Sequence, residues 1–131
     1  MRSIKVYKDL LGAGIRNSQF KWTPYVQPGR SAVDVEWLYT GEQTGPGGAE
    51  AYVARFGPGS HGNLHEHLGF ELLFILEGEL HNDNGDVYPP GTLVVEQPNS
   101  VHQVSSPKGC VCIVIREKRT LPVAAERGPE S

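Results

Sequence analysis

A short run of histidine and glutamate residues offers ligands for a transition-metal ion. His65, His67 and Glu71 fall within seven residues of the sequence. Side chains two positions apart in a β-strand point to the same face, so the two histidines would face the same way. Imidazole and carboxylate groups together suit Zn, Fe, Mn, Ni or Cu. The spacing therefore indicates a metal site without choosing among these ions.

A metal site needs ligands from more than one strand, because three residues of one turn seldom enclose an ion. His102 is the natural fourth candidate, since it follows a hairpin and a turn and could lie on a strand beside the first pair. The alternative is that these histidines are ordinary hydrogen-bonding residues. The ligand set and the β-rich pattern around it favour metal binding.

The elements that would position these residues are short β-strands. The chain of 131 residues contains 16 Gly and 10 Pro, which leave only short segments between them. Many short strands are typical of a β-sandwich or barrel. Asn84-Gly85 is the strongest hairpin signal in the chain. Strands are predicted at residues 33–39, 51–56, 72–80, 93–95, 101–104 and 110–115.

The spacing of the ligand run also matches a known sequence motif. Gly59, His65, His67, Glu71 and Gly78 occupy every fixed position of the first motif of the cupin superfamily. The chain therefore resembles a cupin.

The second cupin motif is a glycine, a proline, a small residue and a histidine, and Gly91, Pro98, Ser100 and His102 resemble it. Pro98 comes one residue late, and Ser100 stands where glycine is common. The Pro-x-Ser-x-His form is most similar to the cupins related to the C-terminal domain of the ChrR anti-sigma factor. The resemblance covers residues 20–118.

The resemblance implies an all-β fold, the cupin jelly-roll barrel or sandwich of two antiparallel sheets. It also implies that His65, His67, Glu71 and His102 bind one divalent transition metal ion (Zn, Fe, Mn or Ni) inside the barrel. Three imidazoles and one carboxylate would leave coordination positions open for water, O₂ or a chelating substrate. An unpaired carboxylate at Glu71 would be costly in an apolar interior without a cation.

Arg55 is a candidate for substrate contact. It shares strand parity with Ala51 and Val53, and it could reach into the barrel to bind an anionic substrate. The alternative is an arginine at the rim of the strand, because charged groups avoid burial.

Two classes of function fit this reading. The first is a metal-dependent enzyme of the dioxygenase type, which would bind a small enol, diketone or hydroxy-ketone through two oxygens, as some similar cupins do. The same site with zinc could polarise a carbonyl for isomerisation or hydrolysis. The second class is a non-catalytic zinc-binding sensor or ligand-binding module similar to the ChrR cupin.

The length predicts a single domain over residues 1–131. Its core is expected at about residues 20–118, with an N-terminal strand or arm at 1–19 and a mobile C-terminal tail at 119–131. Cys110 and Cys112 are expected to be reduced strand residues, because a disulfide between positions i and i+2 would be strained.

The composition and charge of the chain argue against some classes of binding partner. The net charge is −3 and the basic residues are scattered, so no nucleic-acid partner is expected. The apolar runs are too short to span a membrane, and no secretory signal is visible, so a cytoplasmic location is expected. The segment Leu72–Leu76 is apolar on both faces, which predicts a homodimer alongside a small-molecule substrate or ligand.

Overall fold

The computed structural model describes residues 3–11, 20–27 and 29–123. Within these ranges every helix or strand element is a β-strand, which confirms the all-β prediction. No described segment forms a helix able to cross a membrane. The strands are β1 (Thr23–Pro24), β2 (Ser31–Tyr39), β3 (Glu50–His61), β4 (His65–His67), β5 (Glu71–Gly78), β6 (Leu80–Asn82), β7 (Val87–Tyr88), β8 (Leu93–Glu96), β9 (Val101–His102), β10 (Val104–Ser106), β11 (Cys110–Arg116) and β12 (Thr120–Pro122).

The strands form one large and one small antiparallel sheet, which curl into a half-barrel. In the large sheet β11 lies between β3 and β5, and β8 pairs with the far side of β5. β2 pairs along β3 from Ala51 to His61, and β10 pairs with Ser60 and His61 of β3. The small sheet has the order β12-β4-β9. This small sheet carries all three histidines of the predicted site, so its pairing decides their geometry.

Successive side chains along β3 point to opposite faces of the large sheet. Tyr52, Ala54 and Phe56 belong to the inner core cluster. Val53 points to the opposite face, where it packs with Phe20 and with residues of β5 and β11. The inner cluster forms the apolar wall of the barrel, and the outer cluster attaches the N-terminal segment to the sheet.

The predicted strand at residues 72–80 divides after Gly78 into β5 and β6. Gly78 adopts a φ of 75°, and a Cβ there would collide with the carbonyl oxygen of Gly109. The strand therefore turns at a point where the neighbouring backbone approaches too closely for any side chain. Cys110 and Cys112 are buried and free, as predicted.

Three residues of the expected tail, Thr120–Pro122, form β12. They pair with β4, and Thr120 lies opposite His67. The pairing gives hydrogen-bond partners to the backbone of the strand that carries two of the histidines, so the tail is part of the site's framework. Residues 1–2 and 12–19 of the predicted N-terminal arm and 124–131 of the predicted tail lie outside the described residues.

Candidate metal centre

Strand pairing brings the three predicted histidines together. His65 and His67 lie on β4, and His102 on β9 pairs directly opposite His65. All three side chains are buried. One ring nitrogen from each lies within 4.8 Å of the others. The predicted convergence of histidines from two neighbouring strands is therefore present.

Each imidazole is held at its Nδ1 atom by an oxygen of the protein. A carbonyl oxygen can only accept a hydrogen bond, so a ring that donates from Nδ1 keeps its lone pair on Nε2. This arrangement leaves Nε2 as the ligand atom. The pairs are His65 with the carbonyl oxygen of Asn63 at 2.7 Å, His102 with Oδ1 of Asn82 at 2.7 Å, and His67 with the carbonyl oxygen of Ser100 at 3.3 Å.

Two carboxylates border the histidines. Nε2 of His67 lies 3.5 Å from Oε1 of Glu71 and 3.0 Å from Oε1 of Glu96. Oε2 of Glu96 also lies 3.0 Å from Nε2 of His102. Glu71 and Glu96 face each other across the β5–β8 pair. The motif spacing indicates Glu71 but not Glu96. The one sequence signal for Glu96 is a carboxylate at the end of an apolar strand shortly before His102.

Polar atoms at the centre of this cluster lack hydrogen-bond partners. Nε2 of His67, Oε1 of Glu71 and Oε1 of Glu96 are buried, and none makes an aligned hydrogen bond to the described residues. Leaving such groups unpaired costs free energy. A cation between them would satisfy all three, and nitrogen with carboxylate oxygen is a donor set that divalent transition metals accept. The cluster could therefore hold a metal ion.

The electrostatics of the cluster show strong coupling between its members. Burial lowers the pKa of His65 to about 4. Burial also acts to lower the pKa of His67, but Glu71 and Glu96 outweigh it and raise that pKa to about 10. Burial raises the pKa of Glu71, whereas His102 and His67 overcome burial and lower the pKa of Glu96. These opposing pKa shifts arise because imidazoles and carboxylates crowd one buried point, where a cation would compensate the carboxylates.

A buried arginine lies behind the carboxylates. Nη1 of Arg116 is 3.9 Å from Oε1 of Glu71, and Nη2 is 3.2 Å from Oε2 of Glu50. The same guanidinium donates to the hydroxyls of Tyr25 at 2.8 Å and Tyr52 at 3.3 Å. Arg116 is only 4% exposed. It supplies the positive charge that two buried carboxylates need, and the two tyrosines fix its orientation.

A cavity of about 40 Å³ adjoins the cluster. Its walls are apolar side chains such as Phe56, Leu73 and Val114, while His102 and Glu96 are among its polar lining. A cavity of this size has room for water molecules or a small ligand. The arrangement can hold a small molecule with polar atoms at the ligand cluster and an apolar body against the wall.

Of the two positions considered for Arg55, the structure has the one outside the barrel interior. Both of its neighbours on β3 line the cavity, so its own side chain points away from the interior. Its Nη2 lies 2.9 Å from Oδ2 of Asp34, and its guanidinium lies 4.6 Å from the ring centroid of Trp22. Arg30 and Arg116 line the cavity instead. They were missed because nothing in the local spacing links them to the ligand run.

Solved structures with the same architecture were found by comparison. A putative acetylacetone dioxygenase from Methylibium petroleiphilum PM1 matches with a TM-score of 0.74 at 16% identity, covering 98% of this chain and 90% of that one. The anti-sigma factor ChrR, in complex with SigE from Rhodobacter sphaeroides, matches with a TM-score of 0.61 at 20% identity, covering 76% of this chain and 50% of that one.

A cupin-like protein of unknown function from Ralstonia eutropha JMP134 matches at 20% identity with a TM-score of 0.65. The match covers 72% of this chain and 60% of that chain's length. At such identities these likenesses show the shared cupin fold. No curated protein sequence matches the chain. Residues 12–119 match the family model described as the ChrR Cupin-like domain. This match spans most of the sequence, and the chain belongs to that family of cupins.

Proposed function

We propose that this chain is a metal-dependent cupin enzyme of the dioxygenase type, acting on a small enol, diketone or hydroxy-ketone. His65, His67 and His102 would hold one divalent ion together with a carboxylate. Glu71 is the carboxylate that the motif indicates, and Glu96 is a second candidate because it lies closer to the histidines. A bound ion supplies Lewis acidity and open coordination positions.

The observation that carries the proposal is the set of buried atoms on His67, Glu71 and Glu96 that make no aligned hydrogen bond at one point of the barrel. Apolar residues form the wall of the cavity beside this point. Phe56 and Leu73 make the wall that excludes water from a bound molecule. The likeness to a putative acetylacetone dioxygenase over 98% of this chain supports the substrate class.

Metal content and oxygen consumption test this proposal together. Protein purified without added metal or chelator should contain about one equivalent of iron or a similar ion, and should consume O₂ with pentane-2,4-dione. Elemental analysis and an oxygen electrode make the two measurements. Protein without a stoichiometric transition metal would contradict the proposal.

The second candidate is a non-catalytic, zinc-binding ligand module. The family match to ChrR cupin-like domains and the likeness to ChrR itself favour it. One equivalent of tightly held zinc with no O₂ uptake across a panel of β-diketones and hydroxy-ketones would select this candidate over the dioxygenase.

We also propose a homodimer that buries the outer face of β5, β8 and β11. Phe70, Leu72, Val95 and Ile115 are all more than one-third exposed there, and together they line one apolar groove. Leu72 lies between Val95 and Ile115 in the strand register. Contiguous apolar patches of this kind mark association surfaces. Light scattering should give twice the mass of one chain, and Leu72→Glu should reduce it to that of the monomer.

A further inference from the structure

We infer that Arg30 recognises an anionic group on the molecule that enters the cavity, so that a small β-dicarbonyl acid binds in preference to a neutral diketone. The inference rests on the proposed function, because it takes the metal-binding end of the cavity as given. It adds that the ligand carries a negatively charged group, which the proposed function leaves open.

Arg30 is fixed beside the cavity by uncharged groups. Its Nε and Nη2 atoms donate to Oδ1 of Asn63 at 3.3 Å and 2.9 Å. Its guanidinium carbon lies 4.3 Å from the ring centroid of Tyr25. Within residues 3–11, 20–27 and 29–123, no carboxylate lies within ion-pair distance of Arg30. The other two arginines discussed above differ, since Arg55 pairs with Asp34 and Arg116 with Glu50.

The residues that hold Arg30 also hold the candidate metal centre. Asn63 accepts from Arg30 through its side chain and from Nδ1 of His65 through its carbonyl oxygen. Tyr25 stacks on Arg30 and accepts from Arg116 through its hydroxyl. The guanidinium is therefore positioned relative to the histidines before any ligand arrives, which lowers the entropy cost of binding.

The guanidinium keeps free donors for a ligand. Arginine has five N–H groups, and the contacts with Asn63 use only the Nε and Nη2 atoms. Nη1 makes no hydrogen bond to any of the residues described. Arg30 is half-buried at the cavity, whereas His65, Glu71 and Glu96 at the ligand cluster are buried. A carboxylate is the group that such a planar fork of donors binds best.

Two groups that line the same cavity together define the ligand. The histidine cluster favours a molecule with two oxygen atoms that chelate an ion, and Arg30 favours a carboxylate. The cavity is small, which favours a short carbon skeleton. 2,4-Dioxopentanoate has these features, and its methyl ester keeps the dicarbonyl while removing the negative charge.

The test compares the acid with its ester on zinc-loaded protein, where no oxygen chemistry interferes. Isothermal titration calorimetry gives Kd for 2,4-dioxopentanoate and methyl 2,4-dioxopentanoate with the wild type, Arg30→Gln, and the outer-surface control Arg55→Gln. The wild type should bind the acid about tenfold more tightly than the ester, as expected for a charge-assisted hydrogen bond pair. Arg30→Gln should abolish this preference and leave the ester's Kd unchanged, and Arg55→Gln should keep it.

Elemental analysis of the same samples separates the two proposals. Full zinc occupancy with equal affinity for acid and ester, or an acid preference that survives in Arg30→Gln, overturns the role of Arg30 while the metal site stands. Full occupancy with no binding of either compound overturns the β-dicarbonyl acid as ligand. Absence of zinc from the wild type after loading overturns the proposed function, and this inference with it.

Discussion

Replacing His67 by alanine should remove stable metal binding and lower the melting temperature in the same variant. His67 is 1% exposed and its Nε2 lies between Glu71 and Glu96. Its loss would take away one ligand and leave two carboxylates facing each other. Metal that binds only the folded state adds to stability, so a fall of about 10 °C is expected. Elemental analysis and differential scanning calorimetry measure the two effects.

Glu66→Ala is the matched control for this variant. Glu66 lies between the two histidines on β4, so its side chain points to the opposite face of the strand. It pairs in register with Val101 and Leu121 rather than with a ligand. Full metal content is expected in this control. If His67→Ala retained the wild-type metal stoichiometry, His67 would be removed from the proposed ligand set.

Replacing Arg116 by leucine should destabilise the fold strongly. The substitution leaves the carboxylates of Glu50 and Glu71 buried without the cation that now lies 3.2 Å from one and 3.9 Å from the other. Breaking a buried ion pair from one side costs about 3–5 kcal/mol, because the remaining charge stays desolvated. Urea unfolding followed by circular dichroism measures the change in the free energy of unfolding.

Arg55→Leu makes the same chemical change on the outside of the barrel. The side chain of Arg55 is 45% exposed and its ion pair with Asp34 faces solvent. Exposed pairs of this kind contribute at most about 1 kcal/mol. Equal losses of stability in the two variants would show that Arg116 does not compensate the buried carboxylates.

The sequence determined the strands and most of the candidate cluster. Alternation and turn residues are local signals, so the main strands could be predicted from neighbours along the chain. The two histidines of β4 share a face because they are two positions apart, and that spacing holds in any strand. His102 was a candidate from its place after a hairpin and a turn, the second cupin motif also includes it, and the structure pairs it with His65.

The tertiary structure alone decided which charged side chains surround this cluster. Glu96 reaches the histidines because β8 pairs with β5 and places it opposite Glu71. Arg116 comes to the cavity from β11, and Arg30 comes from the segment before β2. Such contacts between side chains depend on the register between strands that are far apart in sequence, and no local pattern encodes that register.

The face that each residue of β3 presents was also decided by tertiary structure. The alternation of side chains along a strand correctly placed Arg55 on the same face as Ala51 and Val53. It could not say whether this face or the opposite face lines the barrel. Packing decided this, because the N-terminal segment covers Val53 on the outer face and leaves Tyr52, Ala54 and Phe56 for the interior. A strand's period is a property of its own backbone, whereas its inward face is chosen by what the rest of the chain packs against it.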